Sequence, residues 1–177
     1  MDTDELMDLV DKNDITVGTI NRLQLDSLMH ADKKRYLRTA CALIRNSSGQ
    51  YWTPRRVATK KIAPNGLDFA MAEHMGVDET YLAAAIRGFR EELNVHIEPN
   101  DLALIGILGP RIDLQLPYFS AIYMYDSNNE PNYNHNDFIG GEWLEANQII
   151  TRIENGEAAK SLLVPAIKLS LLQEGHL

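Results

Sequence analysis

Apolar and polar positions alternate along residues 5–22, ELMDLVDKNDITVGTINR, with the turn residues KND between two runs. That period-2 pattern predicts a β-hairpin. LDSLMHADKKRY follows as a short helix or loop. A second hairpin is predicted over 37–57, where TACALIRN and QYWTPRRV flank the turn signal NSSG. PNG at 64–66 is a further turn leading into LDFAMAEH, which reads as a strand. From Glu79 to Leu93 the period lengthens. Leu82, Ile86, Phe89 and Leu93 recur at three- and four-residue spacing and predict the buried stripe of a helix. Asp78 stands where a carboxylate can cap the first turn, and Asn94 where a left-handed residue ends it. Two strands are expected at 102–108 and 118–126, then a polar loop, SNNEPNYNHND. The remainder reads as helical, LEANQIITRI and EAAKSLLVPAIKLSLLQ, with Pro165 kinking the last segment or starting a new one. No internal repeat or dividing linker is present. The expectation is one α+β domain over 1–177, a mixed β-sheet with flanking helices. A hairpin extension covers about 5–22 and C-terminal helices about 143–173.

Composition narrows the class. Of the 177 residues 45% are hydrophobic and 24% charged, as in globular proteins. No apolar run approaches the ~18 residues of a membrane span. The acidic start MDTDELMDLVDKND lacks the layout of a signal peptide. The lone Cys41, within TACALI, has no internal disulfide partner and reads as a buried thiol. Together these predict a cytoplasmic protein. A net charge of −8 with scattered basic residues argues against a duplex nucleic-acid partner. Small anionic ligands and divalent metal remain open, as does the oligomeric state, homodimer included.

The chemistry concentrates on the helix. Residues four apart share a face, so Glu91 lies over Arg87 and Glu92 over position 88, while Glu79 sits at the helix start. Three carboxylates and an arginine thus form one polar edge. Hard divalent ions take oxygen ligands of this kind, which makes the edge a candidate Mg²⁺ or Mn²⁺ site. Adjacent glutamates on a helix are more often a solvated face, and spacing alone leaves both readings open. Gly88 is out of place among helix formers, costing about 1 kcal/mol relative to alanine.

The order of these residues resembles the Nudix family, whose box runs G-x(5)-E-x(7)-R-E-U-x-E-E-x-G-U, with U bulky and apolar. Glu79, Arg87, Phe89, Glu91, Glu92 and Val95 fall in register with it. Glu73 replaces the first Gly, Gly88 the Glu after the Arg, and Asn94 the last Gly. Upstream, RRVATKKIAPNGLDFAMAEH is similar to a segment of the Nudix subgroup near isopentenyl-diphosphate isomerase, and LVDKNDITVGTINR to that subgroup's opening strands. The resemblance spans about 5–155. It implies an α/β/α sandwich and a metal-dependent pyrophosphatase that cleaves a nucleoside diphosphate linked to another moiety. Carried over, Glu91 and Glu92 hold metal and Arg87 orients Glu91. Glu79 is a further ligand or base, and Asp137, ahead of Trp143, matches an acidic base. Arg55, Arg56 and Lys61 are candidate phosphate holders. In the family the residue at position 88 is a ligand that pairs with the one at 92. Glu73, in the altered glycine pair Ala72–Glu73, either restores that carboxylate from outside the helix or marks a site that has lost hydrolysis. The second alternative is a catalytically silent module that binds a nucleotide or protein partner. If the helix still holds metal, Gly88→Glu should rebuild the ligand pair and gain helix propensity.

The isomerase itself is not expected. His30 and His74 match two of its metal histidines, but Leu37 stands for another and Ala72 for its catalytic cysteine. IDLQLPYF lacks the glutamates that complete its site. Isomerisation needs a proton donor and acceptor across the substrate.

Overall fold

The computed structural model describes residues 5–25, 35–111, 116–173 and 175. Part of LDSLMHADKKRY, with His30, and part of IDLQLPYF lie outside them. Leu6–Val10 (β1) and Thr16–Asn21 (β2) form the first hairpin, with a register shift at Leu9/Val10. The central strand Leu37–Arg45 (β3) runs parallel to Tyr118–Asp126 (β7), which pairs antiparallel with Leu102–Leu108 (β6). On its other side β3 is shared. Its first half pairs with Met71–His74 (β5) and its end with Tyr51–Arg56 (β4), which diverges to pair with Phe138–Leu144 (β8). The sheet order is β6-β7-β3-β4-β8, with β5 on β3.

Alternation along β3 divides the core into two layers, because successive side chains point to opposite faces. Ala40, Ala42 and Ile44 face helix Tyr81–Leu93 (α1), with Phe89, Leu93, Trp52 and Met71. Cys41 and Leu43 face Ala146–Glu154 (α2) and Leu163–Gln173 (α3), with Ile149, Leu163 and Ile167. This is the expected mixed sheet between helices. A smaller third cluster, Met7, Leu9, Ile20 and Leu37, seats the β1–β2 hairpin on the end of β3.

Several expectations need correction. Strand β8 runs through FIGGEW, a stretch given no strand in the sequence pattern, because its backbone pairs with β4 across Trp52–Trp143 and Tyr51–Leu144. The run LDFAMAEH is a strand only from Met71, since Asp68 turns its carboxylate back to accept from the Phe69 amide at 2.8 Å. Asp78 does not cap α1. It sits at φ 58°, and Thr80 is the N-cap, its hydroxyl accepting from the Ala83 amide at 3.1 Å. The stretch 157–162, expected to be helical, is not, because Ala159 bridges to Leu67 and the Lys160 amide donates to the Leu67 carbonyl. Pro165 lies in the first turn of α3, where the missing amide costs nothing.

Candidate functional site

The site forms where β5 passes under α1. Residues Ala84, Ala85, Gly88, Phe89 and Leu93 are the buried line of the helix, while Leu82 and Ile86 lie at its margin. Small residues make up much of that line, so the helix approaches the sheet closely and rotates Gly88 and Glu92 inward. The predicted polar edge is therefore split. Glu91 faces outward and Glu92 faces β5.

Arg87 is the hub. Its Nε and Nη2 donate to the two oxygens of Glu79, both at 3.0 Å, and Nη2 also donates to the His74 carbonyl at 2.7 Å. Nη1 reaches Glu73 and Glu91, each at 3.3 Å. The fork geometry of the guanidinium suits this two-point grip on Glu79. Glu79 also accepts from the Gly76 amide at 2.9 Å, so both its oxygens are engaged. Burial opposes ionisation of Glu79, but Arg87 and that amide outweigh it and hold the carboxyl below its ordinary range.

Glu92 is in the opposite situation. Burial raises its pKa well above the ordinary range, and the charges of Glu73, Asp68 and Asp137 add to it. The Ala72 amide, donating at 3.2 Å, works the other way. Burial also raises Glu73, with Arg87 pulling against it. The two side chains, one from β5 and one from α1, are close enough for the charge of Glu73 to oppose ionisation of Glu92. Like charges so placed do not both ionise without a cation. The Glu92 carbonyl receives the Asn134 amide at 2.7 Å, which ties the Asn-rich loop to the end of α1. At that end Asn94 adopts φ 53°, and its side chain donates to the Asn132 carbonyl at 2.5 Å.

Thus Glu73, Glu79, Arg87, Glu91 and Glu92 come together. Asp137 joins them at the rim, ion-paired with Lys60 and close enough for its charge to act on Glu92. Two expected phosphate holders are corrected. Buried Arg56 is ion-paired with Asp68 and donates from Nε to the Ile62 carbonyl at 2.8 Å. Arg55 is spent on the Asn65 carbonyl at 2.7 Å and on Glu157 at 2.6 Å. Lys61 is exposed on the loop after β4. The cation sequence reasoning passed over is Lys60, and the KK pair was its only signal. His74 points to the opposite face of β5, edge-on to Tyr118, where burial lowers its pKa to about 3.

Gly88 is the further correction. A Cβ built there would lie 2.4 Å from the Met71 sulfur and 2.8 Å from the Cγ of Glu73. The space that a glutamate would need is already filled, so Gly88→Glu cannot simply rebuild the missing ligand.

Comparison with known proteins identifies the class. The NUDIX domain profile matches residues 35–166. The chain is 36% identical over 172 residues to a Nudix hydrolase of Deinococcus radiodurans, covering 97% of each. It is 34% identical over 165 residues to a Nudix hydrolase of Nostoc sp., covering 93% of this chain and 95% of that one. The crystal structure of DR0079 from Deinococcus radiodurans matches with a TM-score of 0.79 at 36% identity, covering 93% of this chain and 98% of that one. The chain belongs to the Nudix family. That family acts on small-molecule nucleoside diphosphate derivatives, and its hydrolases generally use divalent metal ions. Among the described residues no helix is long and apolar enough to cross a membrane.

Among the described residues no three His, Cys, Asp or Glu side chains already converge as an ion cage. Mg²⁺ does not require one, since it is commonly held by one or two carboxylates together with water and substrate phosphate. The facing pair Glu73–Glu92, with Glu91 alongside, has the hard oxygen donors that suit such an ion.

Proposed function

We propose that this protein is a metal-dependent Nudix hydrolase that cleaves the diphosphate of a nucleoside diphosphate linked to another moiety. The observation that carries the reading is the arginine-centred carboxylate cluster, built from residues in register with the Nudix box and backed by the Glu73–Glu92 pair. Glu92 and Glu91 would hold Mg²⁺ or Mn²⁺. When bound, the ion neutralises the diphosphate and favours attack by water.

The chain's own residues supply positioning and proton transfer. Glu79 and the His74 carbonyl fix the Arg87 guanidinium, and Arg87 in turn fixes Glu91. Asp137, beside Lys60 at the rim, takes the proton from the attacking water. Lys60, although ion-paired with Asp137, and the exposed Lys61 next to it in the chain are the cations proposed for a phosphate.

The test is hydrolysis of a panel of nucleoside diphosphate derivatives with Mg²⁺ or Mn²⁺, and with chelator. Glu92→Gln should abolish the divalent-dependent activity and leave circular dichroism unchanged, because glutamine has the shape and neutrality of a protonated Glu92. Unchanged turnover in folded Glu92→Gln would remove this residue from the site. Nucleotide binding by the parent without turnover would favour a catalytically silent module, the reading that Gly88 by itself suggests.

A further inference from the structure

We propose that Glu73 supplies, from strand β5, the carboxylate that α1 lacks at Gly88, so that the metal-binding pair of this chain is Glu73 with Glu92. The inference rests on the metal-dependent reading above and adds Glu73 to the Glu91 and Glu92 named there. In register Glu73 lies opposite Ala40 and Met71 opposite Ala42, which turns both side chains toward α1. Their atoms occupy the room of a residue-88 side chain, with the Met71 Sδ at 2.4 Å and the Glu73 Cγ at 2.8 Å from a Cβ placed there. Glycine at 88 and glutamate at 73 are therefore one exchange. The stem of Glu73 crosses the helix position one turn before Glu92, close enough for its charge to act on that carboxyl. The Ala72 amide orients Glu92 from the same strand.

The competing account makes Glu73 merely an anchor for Arg87. That contact, at 3.3 Å, is longer than the two 3.0 Å bonds Arg87 makes to Glu79 and the 2.7 Å bond to the His74 carbonyl. Arg87 stays positioned without it. Glu73→Gln separates the two roles, since the amide oxygen still accepts from Arg87 but carries no charge for an ion.

Free Mn²⁺ is titrated against the full chain by electron paramagnetic resonance, with the Mn²⁺-induced rise in Tm as a second readout. The parent should bind Mn²⁺. Glu73→Gln and Glu92→Gln should each weaken binding at least tenfold and lose most of the Tm rise, while Glu142→Gln, on β8 and paired with Arg152, should match the parent. Glu73→Ala carries the same expectation and replaces the amide variant should that one not fold. Parent-like Mn²⁺ binding by folded Glu73→Gln or Glu73→Ala would overturn the assignment of Glu73 and leave the hydrolase reading standing. No Mn²⁺ binding by the parent would overturn both.

Discussion

A methyl group on Gly88 would press into Met71 and Glu73, and this steric fact governs what residue 88 can be. Helix propensity favours Gly88→Ala by about 1 kcal/mol. Overpacking a filled interface costs about 1–3 kcal/mol. Met71 is fully buried and its sulfur is mid-chain, so it has little room to yield. Gly88→Ala should therefore lose about 1 kcal/mol net in urea denaturation, against the sign of its propensity. A stability at or above the parent's would mean that Met71 moves aside. Asn94 shows the opposite kind of departure. It replaces the last glycine of the box yet adopts φ 53°, ψ 32°, a conformation asparagine tolerates, so the helix end is kept. Cys41 is settled by burial, which pushes its thiol up to about 12. A raised acid favours the neutral form in the fold. Its contribution is intact below the ordinary thiol value of 9.0 and declines as pH rises toward 12. Iodoacetamide at pH 8 should leave native Cys41 unmodified and alkylate it in denaturant. Rapid labelling of the native protein would show that the layer between β3 and α3 opens.

At the scale of elements, α1 is held by its narrow buried line more than by any capping bond. Phe89 is fully buried and meets Tyr125 edge-on, with ring centroids 5.2 Å apart. Phe89→Ala should cost about 3–5 kcal/mol. A loss below about 0.5 kcal/mol, the range of surface changes, would mean that the ring does not seat the helix. Both hairpins, α1, β6 and β7 were legible because bulky apolar residues recur at one clear period. Strand β8 was not, because Gly140 and Gly141 interrupt FIGGEW and its pairing comes from β4. Gly141 is small for a reason visible only in three dimensions, since a Cβ there would lie 2.4 Å from the Trp52 ring nitrogen. The inward turn of Glu92 was hidden for a related reason. Pattern reading weights Leu82 and Ile86, whereas contact with the sheet is set by Ala84, Ala85 and Gly88. Of the candidate site, Arg87 with Glu79 and Glu91 could be read from order and spacing. The committed donors of Arg55 and Arg56 could not, because their acceptors lie elsewhere in the chain.

Across the whole molecule, the Nudix match begins at residue 35, so the β1–β2 hairpin precedes the matched domain and must be fastened to it. Arg38, on β3, does this. Its Nε donates to Asp14 at 2.6 Å, and its Nη1 reaches Thr16 at 3.2 Å and Asp8 at 3.5 Å. Asp14 also accepts from the Tyr81 hydroxyl at 3.0 Å, which links the hairpin turn to the first residue of α1. Asp8 is only 5% exposed, so removing its cation leaves a carboxylate short of both water and counter-charge. Breaking a fully buried pair costs about 3–5 kcal/mol. Arg38 is partly exposed, and solvent lowers the figure to about 2 kcal/mol. Arg38→Met keeps the apolar stem and removes the charge. Because the apolar cluster that seats the hairpin among the described residues, Met7, Leu9, Ile20 and Leu37, is small, the loss should appear locally. Hydrogen exchange of the variant should show β1 and β2 amides losing protection while β3 and β7 retain theirs. Equal loss across all four strands would make the hairpin part of the global folding unit. Parent-like protection in β1 and β2 would mean that the apolar cluster and the Val10–Tyr36 backbone bridge fasten it without Arg38.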